Sequence, residues 1–177
     1  QMCIRDSERT VKFDDPKNPN SHQMPAKFKL HEEMNHVKGT VLWYAKAVVD
    51  NIGNYGTTLR NYYWKYPALQ PKMPFIDDKR PKKPRKVKAV WTSSGYLLFW
   101  TPPRGKDWDD VATKYVVYRF NKGERVDLDD PSKIVTITNK TMYKLPYADG
   151  KTKYRYVVTA VDRMNNESKG KKKNIKL

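Results

Sequence analysis

Tyr96-Leu97-Leu98-Phe99-Trp100-Thr101-Pro102-Pro103 and Tyr154-Arg155-Tyr156-Val157-Val158-Thr159-Ala160-Val161 decide the fold of the second half of this chain. Each is a short run of β-branched and aromatic residues suited to a pleated, half-buried surface, and each ends in turn chemistry, Pro102-Pro103 or Asp162. Working outward, Tyr115-Val116-Val117-Tyr118-Arg119-Phe120 stops at Asn121-Lys122-Gly123, and Ile134-Val135-Thr136-Ile137 precedes Asn139. Asp162-Arg163 with Asn165-Asn166-Glu167-Ser168 reads as the turn into a last strand. No helical period interrupts these runs. Short strands spaced by Gly, Pro and Asn turns over about 90 residues predict an antiparallel β-sandwich over residues 88–177.

Ahead of the sandwich lies Asp77-Asp78-Lys79-Arg80-Pro81-Lys82-Lys83-Pro84-Arg85-Lys86-Val87-Lys88. Two prolines among so many like charges predict an extended, exposed connector over 77–87, with the domain boundary there. Further upstream the pattern changes. Phe28, Leu30, Met34 and Val37 can share one helical face, predicting a helix of about a dozen residues that Gly39 closes. Thr40-Val41-Leu42-Trp43-Tyr44 is a nearly continuous apolar run, which suits a strand covered on both faces. Gly53, Asn54 and Gly56 then mark a turn, and Thr57 or Thr58 can cap a second helix bearing Leu59, Tyr62, Tyr63 and Tyr66. Helix, buried strand and helix make an α/β fragment over residues 8–76, marginal by itself because one strand cannot bury both of its faces. The polar stretch before it, with Asp15-Pro16 and Asn18-Pro19, reads as loop. Gln1–Ser7 shows no pattern in keeping with the rest of the chain and is set aside as a non-native remnant.

Composition narrows the function classes. The single Cys3 excludes an internal disulfide and a Cys-based zinc site. No apolar run approaches the ~20 residues that span a bilayer. A net charge of +17 raises a polyanion as partner, concentrated in Lys79–Lys88 and the tail Lys169–Lys173. No zinc-finger spacing, aromatic RNA-binding motif or phosphate loop accompanies these charges, so they read as a solubilising connector and tail, with no nucleic acid expected.

The second half resembles the fibronectin type III family. Trp100 followed by Pro102-Pro103 matches that family's core tryptophan and proline-bearing loop, Tyr115–Tyr118 its third strand, and Leu145 with Tyr154, Tyr156, Val158 and Ala160 its tyrosine corner and penultimate strand. The resemblance implies a structural core of Trp100, Tyr115, Tyr118, Leu145 and Tyr154, with the Tyr154 hydroxyl bonded to a backbone group at the corner. The first half is similar to glycosyl hydrolase-like family 10 proteins of bacteria. The similarity lies in Gly39–Lys46, Leu59-Arg60-Asn61-Tyr62-Tyr63, and most distinctively Tyr66-Pro67-Ala68-Leu69-Gln70-Pro71-Lys72-Met73-Pro74. That resemblance implies the C-terminal fragment of a (β/α)8 barrel, with Thr40–Tyr44 as its last strand and Leu59–Trp64 in the next helix. It also implies an exported, lipoprotein parent hydrolysing glycosidic bonds, periplasmic or at the cell surface, with carbohydrate as the barrel's partner and a monomeric state.

Catalysis does not follow from this stretch. Barrel enzymes draw catalytic residues from several strands, and glycosidases need two carboxyls about 5–10 Å apart across the scissile bond. No such pair stands out, so the fragment is expected to be non-catalytic and to need no cofactor. Trp43, Tyr44 and Lys46, at the C-terminal end of the barrel strand, are the substrate-contact candidates by analogy of fold. His31, Glu32, Glu33 and His36 read as a solvated helix surface, because the histidines miss the i, i+4 spacing that faces one metal. The doublets Asp14-Asp15, Asp77-Asp78, Asp109-Asp110 and Asp129-Asp130 read as turn acids and not as metal ligands. A module that binds a carbohydrate or a protein through exposed aromatics such as Trp91 or Trp108 is the alternative function, favoured by a cluster of exposed rings, and a basic nucleic-acid-binding protein ranks behind it.

Overall fold

The computed structural model describes residues 3–5, 23–37, 39–43, 45–51, 54–105 and 111–177. They form two compact units that divide between Lys65 and Tyr66.

In the first unit, β1 (Cys3–Arg5) pairs in parallel with β2 (Val41–Trp43), with Ile4 opposite Leu42. Helix α1 (Gln23–Glu33) lies between them in sequence, so the order is strand, helix, parallel strand. Of the Gln1–Ser7 stretch, expected to be a non-native remnant, residues 3–5 thus pair with β2. Helix α1 ends ahead of Met34, where Met34 N–H donates to His31 O and Val37 N–H to Met34 O in a turn. Of the predicted face, Phe28 is buried while Leu30 is exposed. After α2 (Lys46–Val49) comes α3 (Tyr55–Thr58), which widens into a π-helical turn at Leu59–Tyr63. Its start is capped from outside: Asn51 Oδ1 accepts the Thr57 N–H at 2.9 Å, so neither Thr57 nor Thr58 is the capping side chain. Phe28, Tyr55 and Leu59 make a small core, with the Phe28 and Tyr63 rings stacked at 4.5 Å. Val41 is 41% exposed, against the expectation of a strand covered on both faces. A two-stranded sheet has too little around it to cover both sides.

In the second unit the sandwich has seven strands among the described residues. One sheet has the order β3 (Arg85–Thr92), β4 (Gly95–Thr101), β7 (Met142–Lys144). The other has the order β6 (Ile134–Thr138), β5 (Lys114–Asn121), β8 (Lys153–Val161), β9 (Lys171–Lys176). All their pairings are antiparallel. Tyr115 lies opposite Ala160 and Val117 opposite Val158, and these four side chains share one face. That face meets Leu98, Trp100 and Leu145 in the core between the sheets, where Trp100 and Tyr115 contact edge to face at 5.5 Å.

The opposite face of the four-stranded sheet is also buried. Val116, Tyr118, Phe120, Val157 and Val161 form a second apolar cluster, flanked by Ile134 and Ile137 of the neighbouring β6 and packed against Leu69, Val126 and Leu128. Tyr118 therefore belongs to this outer cluster and not to the space between the sheets, as strand alternation requires once Tyr115 and Val117 point inward. Leu69 comes from the Tyr66–Pro74 run, expected to close the barrel fragment. This run packs within the sandwich unit: Asn165 Nδ2 donates to Pro71 O at 3.1 Å, Met73 N–H to Met164 O at 3.1 Å, and Lys114 Nζ to Gln70 Oε1 at 3.1 Å. The connector expected over 77–87 differs too. Pro81, Pro84 and Val87 are buried, β3 already begins at Arg85, and Asn166 Nδ2 donates to Asp77 O at 3.0 Å. At Tyr154, where a hydroxyl-to-backbone bond was implied, the half-buried ring carries the Arg119 guanidinium 5.1 Å from its centroid.

Candidate functional site

The three substrate-contact candidates follow one another from the end of β2 to the start of α2 in sequence. Trp43 ends β2, Lys46 opens α2, and Tyr44 between them lies outside the described residues. Lys46 Nζ is ion-paired with Asp50 one helical turn on, a local use of its charge. His31 is buried, its Nδ1 within 3.1 Å of Thr40 Oγ1, which ties the end of α1 to the start of β2. Glu32, Glu33 and His36 are exposed. Among the described residues no three of His, Cys, Asp and Glu converge as a metal ion would require, and no helix is long and apolar enough to cross a membrane.

The acidic doublets that the structure describes act in turns. Asp77 Oδ1 accepts from Lys79 N–H at 3.1 Å, and Asp130 Oδ1 from Ser132 N–H at 2.9 Å. The Ser132 contacts hold the Asp130 carboxyl below its ordinary range. Asp14-Asp15 and Asp109-Asp110 lie outside the described residues, as does Trp108.

An exposed ring cluster does form, at the end of the sandwich. Trp91 and Tyr96 are cross-strand partners beside the Thr92-Ser93-Ser94-Gly95 turn, and their rings stack at 4.8 Å with an interplanar angle of 18°. Tyr147 meets Trp91 edge-on at 4.8 Å and Tyr96 at 6.0 Å. Trp91 is 59% exposed and Tyr147 46%. Tyr96 packs inward on the main core, so the platform is anchored from beneath. Sequence reading singled out Trp91 but missed its partners. Tyr96 meets Trp91 through pairing with β3, a strand the sequence does not announce, and Tyr147 arrives from a distant loop. Rings on a rigid strand pair suit the apolar faces of sugar rings, and losing little conformational freedom on binding favours such contacts.

No protein-family model matches the chain. Over 148 residues it is 31% identical to the glycosyl hydrolase YngK of Bacillus subtilis strain 168, a match that takes in 83% of this chain and 28% of that protein. The chain thus spans little more than a quarter of the length of the curated relative it matches. Among solved structures it is similar to an Fn3-like protein from Clostridium thermocellum, at 27% identity and a TM-score of 0.40, over 54% of this chain and 92% of that one. It is also similar to the spore cortex lytic enzyme SleM of Clostridium perfringens, at 12% identity and a TM-score of 0.37, over 55% and 28%. By sequence this chain is similar to part of a glycosyl hydrolase, and its three- and four-stranded sheets form a fibronectin type III-like β-sandwich.

Proposed function

We propose that this chain is the non-catalytic, C-terminal accessory portion of an enzyme that hydrolyses glycosidic bonds. The observation that carries the reading is its similarity to a glycosyl hydrolase across both units. The parallel pairing of β1 with β2, with a helix between them in sequence, supports the further step that the first unit belongs to a (β/α)8 barrel. On this reading the two catalytic carboxyls stand on barrel strands beyond this chain. Trp43, Tyr44 and Lys46 lie at the active-site end of one strand, where a ring can stack on a sugar and Lys46 can meet a hydroxyl. The sandwich is the accessory module, and the Tyr66–Pro74 run, held within the sandwich unit through Leu69, Gln70, Pro71 and Met73, is the chain leaving the barrel. Export to the periplasm or cell surface and a monomeric state belong to the same reading.

The test is release of reducing sugar from a panel of neutral and acidic polysaccharides by the chain alone. No turnover above the buffer blank is expected, and turnover overturns the non-catalytic reading.

A specific observation favours a second role for the module, glycan binding through Trp91, Tyr96 and Tyr147. Retardation of the chain in native gels containing a soluble neutral polysaccharide tests it. Retardation lost in Trp91→Ala supports the role. Equal mobility with and without the polysaccharide rejects it.

A further inference from the structure

Residues with cationic side chains from three distant stretches of sequence line one cleft of about 660 Å³ at the edge of the sandwich, walled chiefly by their aliphatic stems and by prolines. Arg80, Lys82, Lys83 and Arg85 come from the segment entering β3, Arg104 from the loop after β4, and Lys169 from the loop before β9. Pro81 and Pro103 complete the wall, and among the described residues no carboxylate lines it. In the sequence these charges read as a connector and a tail. Folding makes them one surface.

Each stretch is held from behind. Pro81 and Pro84 are buried, and their rings fix φ at the positions on either side of Lys82 and Lys83. Arg85 Nε donates to Pro102 O at 3.2 Å, linking the β3 segment to the loop that bears Arg104. A bulge between Arg85 and Lys88, with Lys86 at φ 47°, sets the direction in which the strand enters. Ser168 Oγ donates to Lys169 O at 3.0 Å while accepting from Ala160 N–H at 2.9 Å, so the Lys169 backbone is tied to β8. Like charges on so fixed a frame repel one another, and a bound polyanion relieves that repulsion while releasing counterions. Side chains already gathered lose less freedom on binding than those of a mobile tail.

We propose that this cleft is a binding site for an anionic polysaccharide, its carboxylate or phosphate groups spaced along a sugar chain and paired with Arg80, Lys82, Lys83, Arg85, Arg104 and Lys169. That the polyanion is a glycan rests on the glycosyl hydrolase-like reading above. The preference for anions rests on the cleft alone.

The experiment measures equilibrium binding of the full chain to polygalacturonate, to amylose as the neutral counterpart, and to duplex DNA of matched charge. Two variants with equal loss of charge are compared: Lys82→Gln/Lys83→Gln/Arg104→Gln in the cleft, and Lys171→Gln/Lys172→Gln/Lys173→Gln on β9. All six positions are exposed, so both variants should keep the wild-type melting temperature. The expected result is polygalacturonate binding that the cleft variant weakens about tenfold and the β9 variant less than about twofold, with steep loss as salt rises from about 50 mM to about 200 mM. Equal weakening by the two variants, or no binding of polygalacturonate, overturns the site. DNA binding as tight as polygalacturonate binding, with the same dependence on the cleft, overturns the assignment to a glycan. Amylose binding that persists while polygalacturonate fails leaves the accessory-module reading standing and sinks only this proposal.

Discussion

The Tyr118 hydroxyl donates to Glu167 Oε1 at 2.7 Å, joining the middle of β5 to the loop ahead of β9 across 49 positions of sequence. Thr159 Oγ1, on β8, donates to the same carboxylate oxygen at 2.6 Å. One side chain thus bridges two neighbouring strands of the sheet on its outer face. Hydrogen bonds to charged groups contribute about 1.5–3 kcal/mol each. Tyr118→Phe is expected to cost about that much while keeping the ring's packing, read as a lower urea midpoint at unchanged slope. An unchanged midpoint would show that Thr159 alone suffices for Glu167.

The same site makes the fold sensitive to base. Burial, and then the hydrogen bond to Glu167 and its charge, push the Tyr118 hydroxyl well above its ordinary value of 10.0. Burial pushes Tyr156 up to about 12. For both groups the folded state holds the proton more tightly than the unfolded chain does. Their contribution to stability is therefore complete below pH 10 and is lost as pH climbs through the folded values. Alkaline titration followed at the tyrosinate absorbance band and by circular dichroism together should show these two rings ionising only as the fold is lost. Full ionisation of every tyrosine while the sandwich signal persists would contradict it.

Gly170 packs its backbone against Val157. A Cβ built there would lie 2.2 Å from Val157 Cγ1, and Val157 is fully buried in the outer cluster. Gly170→Ala is expected to destabilise by about 1–3 kcal/mol through overpacking. Pairing it with Val157→Ala, which removes the clashing methyls, should recover part of that loss in a double-mutant cycle. Simple additivity would place the cost elsewhere.

Leu69 tests where the sandwich unit begins. It is half-buried and packs on the cluster around Val116, Tyr118 and Phe120. Leu69→Ala should lower stability by about 1–3 kcal/mol, less than the about 2–5 kcal/mol of a fully buried leucine because Leu69 is half-buried. Deleting residues 66–76 should expose that face, seen as binding of a dye that reports apolar surface. A truncated chain that melts as the intact one does, with no dye bound, would restore the boundary to residue 77.

Strands β4, β5, β6 and β8 were legible because their apolar runs and turn residues are local signals. Strands β3 and β7 were not. Arg85, Lys86 and Lys88 disguise β3 as a connector, although charge is common on a strand at the edge of a sheet, as β3 is. Met142–Lys144 is too short to carry a pattern. Of the surfaces with chemistry, Trp91 could be picked out in the sequence, but the cluster could not, because Tyr147 reaches it from another loop.

Residue order alone was enough to make the second half of the chain an antiparallel sandwich and to supply Trp100, Tyr115 and Leu145 as apolar filling, since strand propensity and turns act over a few residues. A sign of the second buried face was present there too. Tyr115–Tyr118 and Tyr156–Val161 are nearly continuous in apolar residues where a half-exposed sheet would alternate. What covers that face, which rings join Trp91, and the gathering of Arg80–Arg85, Arg104 and Lys169 around one cleft were settled only by the folded chain. Those outcomes depend on which distant segments meet, and no local pattern encodes a meeting between residues 80 and 169.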